Sequence, residues 1–67
     1  MTGDIASLLS QHRGGMSASK LAEVTGISAK QLYAMAKANR IPSVKVGGRV
    51  IFDPARVAAW WRSKEAA

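Results

Sequence analysis

Residues 17–31 read SASKLAEVTGISAKQ: a hydroxyl, a short apolar-periodic run, a glycine, one isoleucine and a second hydroxyl. Ser17 suits the cap of a helix over about 18–25, with Leu21 and Val24 inward. Gly26 stands just past its end, where a left-handed backbone costs glycine little. Ser28 then starts another helix almost at once. Ser28-x-x-Gln31 has the capping-box spacing, with the hydroxyl on the N3 amide and the glutamine reaching back to the cap. Gly26-Ile27-Ser28 is thus a tight turn with one apolar residue to plug the angle between two helices. Short helices joined by such a glycine-containing turn make a helix-turn-helix. Many helical hairpins share this pattern, so specificity must come from the flanking sequence.

Downstream, the helix over about 29–38 divides into two faces. Leu32, Met35 and Ala36 share one, while Lys30, Tyr33, Ala34 and Lys37 fall at i, i+3, i+4, i+7 on the other. Asn39 suits the C′ position. Ile41-Pro42 forces an extended entry, and Val44, Val46, Val50 and Phe52 then alternate around Gly47-Gly48. A two-residue turn would pair Val46 with Arg49 and Val44 with Ile51. A three-residue loop, Gly47-Gly48-Arg49, pairs Val46 with Val50 and Val44 with Phe52, so that all four apolar residues share a face. Burial favours the longer loop, with Arg49 at the hairpin tip. Asp53-Pro54 is an N-cap followed by proline at N1, opening a helix over about 54–65 that presents Val57, Trp60, Trp61 and Lys64. Upstream, 4–12 reads as an amphipathic helix capped by Asp4, with Ile5, Leu8, Leu9 and His12 on one face and Arg13-Gly14-Gly15 ending it.

Charge sets the class of partner. The 67 residues carry ten Lys and Arg against four Asp and Glu, for a formal charge of +6 and a pI near 10.6. Between Glu23 and Asp53 there is no acidic residue, yet Lys30, Lys37, Arg40, Lys45 and Arg49 all fall there. A positive surface on one helix and an adjacent β-turn suits duplex nucleic acid rather than a generic solubilising charge. A basic helix with a wing fits a B-form major groove better than the deep, narrow groove of A-form RNA. The chain is one small domain with too little interior for both a core and a catalytic cleft. Without cysteine it has no disulfide framework and no thiolate zinc site, which fits a reducing cytosol. No apolar run approaches bilayer length, and MTGDIASLL lacks the basic start of a signal peptide.

The order helix, turn, helix, two-stranded wing with a Gly-Gly-Arg tip and closing helix resembles the excisionase/AlpA-type branch of MerR-like winged helix-turn-helix proteins. The matching residues are Met16-Ser17, Leu21-Ala22-Glu23 and Gly26-Ile27-Ser28, then Leu32-Tyr33, Ile41-Pro42, Val44 to Arg49, Phe52 and Val57-Ala58-Ala59-Trp60. The resemblance implies a mainly α fold with a small β-hairpin. It divides the chain into an N-terminal helical extension, 1–15, and a winged helix-turn-helix domain, 16–67. It also implies double-stranded DNA as partner, the second motif helix in the major groove and the wing against the minor groove or backbone. Relatives of this kind include phage and mobile-element excisionases, which bend attachment-site DNA and direct an integrase or recombinase. Others are small transcription regulators, and similar folds occur in DNA-packaging subunits. Three positions depart from the pattern: Lys20 replaces an acidic residue, Asn39 a glycine, and Ile51 a basic residue on the wing.

Ser28, Lys30, Gln31, Tyr33, Ala34 and Lys37 form the expected recognition helix. Lys30 or Gln31 suits a guanine or adenine edge, Ala34 a close approach or a thymine methyl, and Tyr33 a phosphate. Arg40, Lys45, Gly47, Gly48 and Arg49 form the wing and its junction, with the arginine suited to a narrow minor groove. Arg13 and Lys20 are further candidates for phosphate contacts. Structural alternatives stand beside these: Gln31 as the capping-box partner, Tyr33 packed on the core, and the lysines as a solvated face. Adjacent tryptophans on a helix point about 100° apart and make no flat stacking platform, so core packing is expected for at least one. His12 has no partners for a metal site, and no carboxylate pair has catalytic spacing.

The expectation is therefore a cytoplasmic, nucleoid-associated, non-enzymatic DNA-binding protein of excisionase type that self-associates on repeated sites. No cofactor, metal, membrane or small-molecule substrate is expected. A transcription regulator on the same scaffold is the alternative. A DNA-packaging or assembly adaptor, docking through Ile5, Leu8, Leu9 and Trp61, is the other.

Overall fold

Ser17, Ser28 and Asp53 each accept a hydrogen bond from a backbone amide two or three residues on, and those three bonds set where the main helices begin. Ser17 Oγ accepts from Lys20 N at 3.1 Å, Ser28 Oγ from Gln31 N at 3.1 Å, and Asp53 Oδ1 from Ala55 N at 3.0 Å. The computed structural model describes residues 4–65, so both outer ends of the 1–15 and 16–67 division lie outside the described residues. Helix α1 is Ile5–Gln11, α2 is Ala18–Thr25, and α3 is Ala29–Lys37. Strands β1, Val44–Val46, and β2, Arg49–Ile51, form an antiparallel hairpin, and α4 is Pro54–Glu65. This is the expected mainly α winged helix-turn-helix architecture.

Helix ends follow the local chemistry read from the residues. Gly26 takes the left-handed conformation at φ 81° and donates to Ala22 O at 2.8 Å. Thr25 adds a stitch that periodicity does not reveal: its hydroxyl donates to Leu21 O at 2.9 Å and accepts from Ile27 N at 3.2 Å. At the end of α3, Asn39 is left-handed at φ 58°, Asn39 N donates to Ala36 O at 3.1 Å, and Arg40 N donates to Met35 O at 2.8 Å. These are the paired bonds of a Schellman motif. Asn39→Ala should cost about 1 kcal/mol, because a plain L-residue is strained there. Thermal denaturation should register this as a fall of roughly 4–8 °C.

The core joins all the helices to β2. Leu9, Met16, Leu21, Leu32, Ile41, Phe52 and Val57 are buried, with Ala18, Ala36 and Ala58 filling the narrow places between helices. Ile27 plugs the α2–α3 angle as expected, and Trp60 packs partly against the core. The face assigned to α1 needs correction. Ala6 and Leu9 are buried, whereas Leu8 is 46 % exposed. Helix α1 lies chiefly along α4, and the small Ala6 permits close approach where Leu8 would hold the helices apart. Hydrogen bonding from the Ser7 side chain, and then from its amide at 2.7 Å, holds the Asp4 carboxyl below the usual carboxylate range; Arg62 on α4 adds to this.

The hairpin register is the second correction. Val44 pairs with Ile51, Lys45 with Val50 and Val46 with Arg49, around a two-residue Gly47-Gly48 turn. Both glycines have positive φ, 53° and 83°. That combination matches the primed turn whose twist suits a hairpin, and it outweighs burial of two valines. Val44 and Val46 accordingly stand 50 % and 54 % exposed. Arg49 is the first residue of β2 rather than the tip. Phe52 gains its burial from the other edge of the strand, where Met16 N donates to Phe52 O at 2.8 Å and Phe52 N to Met16 O at 2.9 Å.

Candidate nucleic-acid interface

Helix α3 buries Leu32 and Ala36 against the core and turns Ser28, Lys30, Gln31, Tyr33, Ala34 and Lys37 outward, all exposed. The 3.6-residue period forces that division: once Leu32 and Ala36 are seated, Lys30, Tyr33, Ala34 and Lys37 occupy the opposite stripe. The capping box is half made. Ser28 takes the Gln31 amide, and the exposed Gln31 side chain makes no return bond among the described residues. Its amide group is therefore left to other partners. Tyr33 is 51 % exposed, so the core does not claim it.

The wing continues the surface. Lys45, Gly47, Gly48 and Arg49 are exposed. Facing residues of an antiparallel pair share one side of the sheet, so Arg49 lies on the side of Val46, Val44 and Ile51, and Lys45 on that of Val50. Arg40 is exposed at the junction of α3 and the wing, its backbone fixed by the Schellman bond to Met35. Arg13 and Lys20 are also exposed, one beyond α1 and the other in the first turn of α2.

Between α3 and the wing lies an open groove of about 740 Å³. Tyr33 lines it from α3, Gly48 to Ile51 from the wing, and Gly15 to Ser17 from the segment leading into α2. Of the expected contact residues, Tyr33, Gly48 and Arg49 are thus brought to one groove, while Ser28, Lys30, Gln31, Ala34, Lys37, Arg40, Lys45, Gly47, Arg13 and Lys20 lie outside its walls. Gly15, Met16 and Ser17 were not among the expected interface residues. The doubled glycine at 14–15 was the available hint, since one glycine suffices to end a helix.

Charge on this surface is nearly unopposed. The ion pair formed among the described residues is Arg56 Nε to Asp53 Oδ2 at 3.9 Å, both side chains well exposed, at the start of α4. None of Lys30, Lys37, Arg40, Lys45 or Arg49 has an acidic partner there. Exposed cations without internal partners are free to exchange their counterions for phosphates. The tryptophan ring centroids are 6.2 Å apart at an interplanar angle of 61°, and Lys64 Nζ sits 5.8 Å from the Trp60 ring. An edge-to-face pair of this kind is a packing arrangement and offers no parallel faces for bases. No group of three or more metal-ligating side chains forms among the described residues, and none of their helices is long and apolar enough to cross a membrane.

No curated protein and no solved structure matches the chain. A family model described as a helix-turn-helix domain matches residues 16–65, from the Met16 bridge to the end of α4. That span contains both motif helices, the wing and the closing helix. DNA binding is the function such a domain implies, and the protein belongs to the helix-turn-helix domain family.

Proposed function

We propose that this protein binds specific sites in double-stranded DNA as an excisionase-type factor, occupying repeated sites cooperatively, bending the DNA and directing an integrase or recombinase. One observation supports this above the others: the exposed, acid-free face of α3 and the cationic wing meet at one open groove through Tyr33 and Arg49. In this reading α3 enters the major groove, with Lys30 and Gln31 at base edges, Ala34 giving close approach, and Ser28, Tyr33 and Lys37 near the backbone. Arg49 and Lys45 engage the minor groove or its phosphates, and Gly47-Gly48 lets the tip come close without side chains. Arg40, Arg13 and Lys20 add phosphate contacts. A single module of this size reads only a few base pairs, so repeated sites and self-association supply the remaining information.

Selection from a random duplex library at near-physiological salt tests the reading. Enrichment of a short repeated motif supports it and gives the half-site spacing. Salt-sensitive binding without enrichment would reduce the protein to a non-specific basic module. The roles within the interface are separable on the selected site. Lys30→Ala should relax preference at one base position, with about 1–3 kcal/mol of discrimination lost. Arg40→Ala should weaken every sequence alike and lower the salt slope by about 1. Equal losses on all sequences for both variants would overturn the assignment.

A further inference from the structure

We propose that Gly15 and Ile51 form a clamp that sets the angle of the wing relative to α3, which makes Gly15 a positioning residue for DNA binding; the functional half of this rests on the reading above. Gly14, Gly26, Gly47 and Gly48 have positive φ, and nothing lies within 4 Å of where their Cβ atoms would be. Those glycines serve backbone conformation. Gly15 differs on both counts. Its φ lies outside the left-handed region, so φ does not by itself call for glycine there. The space a Cβ would need is instead taken by Ile51 Cγ2, at a separation no two carbons tolerate.

The position of that contact gives it leverage. The hairpin strands are only three residues each, and β1 presents Val44 and Val46 to solvent. The wing is therefore held to the body through β2: Val50 packs on the core, Phe52 bonds to Met16, and Ile51 seats on Gly15. Gly15 and Ile51 both line the groove that contains Tyr33 and Arg49. Both also line a second hollow of about 390 Å³ on the side of His12, Val44 and Pro54. The pair is the wall between the two hollows. A methyl group added at residue 15 must displace Ile51 Cγ2; in the clamp it does so by moving β2 away from the segment entering α2, and Arg49 relative to Tyr33, rather than by turning Ile51 about χ1.

Size exchange tests this. Ile51→Ala removes Cγ2 and leaves a Cβ 3.9 Å from the Cβ position of residue 15, an ordinary contact. Six proteins are compared: wild type, Gly15→Ala, Ile51→Ala, the double variant of these two, Arg49→Ala, and Gly15→Ala combined with Arg49→Ala. Residual dipolar couplings of wing and α3 amides, measured without DNA, report the wing angle. Salt titrations on duplex report its use. In Gly15→Ala, wing couplings should leave the frame that fits α3, and the salt slope should shrink by about 1–2 as contacts from Lys45 and Arg49 are lost. Affinity should fall roughly five- to thirtyfold at near-physiological salt. Adding Arg49→Ala to Gly15→Ala should then cost little more, because the contact is already gone. The double variant should recover both readouts.

Wing couplings that stay in the α3 frame in folded Gly15→Ala would overturn the clamp, as would losses fully additive with Arg49→Ala. Should Gly15→Ala fail to fold, Ile51→Ala decides, because it empties the clamp without crowding. Scaled-down wing couplings restored in the double variant support the proposal, and unchanged couplings in Ile51→Ala sink it. A wild type that binds no duplex would defeat the functional reading and leave the coupling experiment standing.

Discussion

Phe52→Ala should leave the protein largely unfolded at 25 °C. Phe52 is fully buried and is the largest such side chain, packed in one cluster with Leu9, Met16, Leu21, Leu32, Ile41 and Val57. Removing a buried phenylalanine ring costs about 3–5 kcal/mol, from lost transfer free energy and the cavity left behind. A single core in a chain below about 70–80 residues rarely yields more than about 3–5 kcal/mol of net stability. The two quantities are comparable, so the folded population should collapse. Circular dichroism and urea titration would measure it, with Phe52→Leu as the control expected to stay folded. A Phe52→Ala protein that melts within a few degrees of the parent would mean that this cluster is not the core.

The second large effect is on binding. Raising salt from 50 to 200 mM should weaken duplex affinity roughly 250- to 1000-fold, corresponding to a log–log slope of about −4 to −5. Lys30, Lys37, Arg40, Lys45 and Arg49 all reach solvent, and none is held by a carboxylate among the described residues. About four to six phosphate contacts then set the number of counterions released. Fluorescence anisotropy on one duplex across that salt range suffices. A loss of less than tenfold would show that the basic face is not what holds the DNA, and would move attention to the apolar wing residues Val44 and Val46.

What could be read without coordinates was whatever depends on a few neighbouring residues. The caps at Ser17, Ser28 and Asp53, the left-handed Gly26 and Asn39, and the outward stripe from Lys30 to Lys37 all follow from spacings of four residues or fewer. The hairpin register is decided by Gly47-Gly48, whose two positive φ values make a primed two-residue turn. Counting apolar residues within the hairpin favoured the longer loop because Phe52 finds its cover outside it, against Met16 far back along the chain. Helix α1 failed for a related reason. Its spacing allows either Leu8 or Ala6 on the inward face, and the choice belongs to the surface of α4. On the interface, the exposed residues were legible and the groove that groups Tyr33 with Arg49 was not. A groove is a property of two elements at once.

The Met16–Phe52 bridge also bears on how the protein is made. It ties the residue just ahead of the first motif helix to the residue just behind the wing, and Val57 and Ala58 of α4 complete the same core. During synthesis the two motif helices leave the ribosome ahead of the wing and α4, so their apolar faces stay incompletely covered until the wing and the first turns of α4 follow. Helix–turn–helix contacts form locally and fast, whereas closure waits on the long-range Met16–Phe52 pairing and on α4 meeting α1. A nascent chain halted between the wing and α4 would carry the whole basic face on an unfinished body, exposed to chaperones and proteases before it could hold DNA.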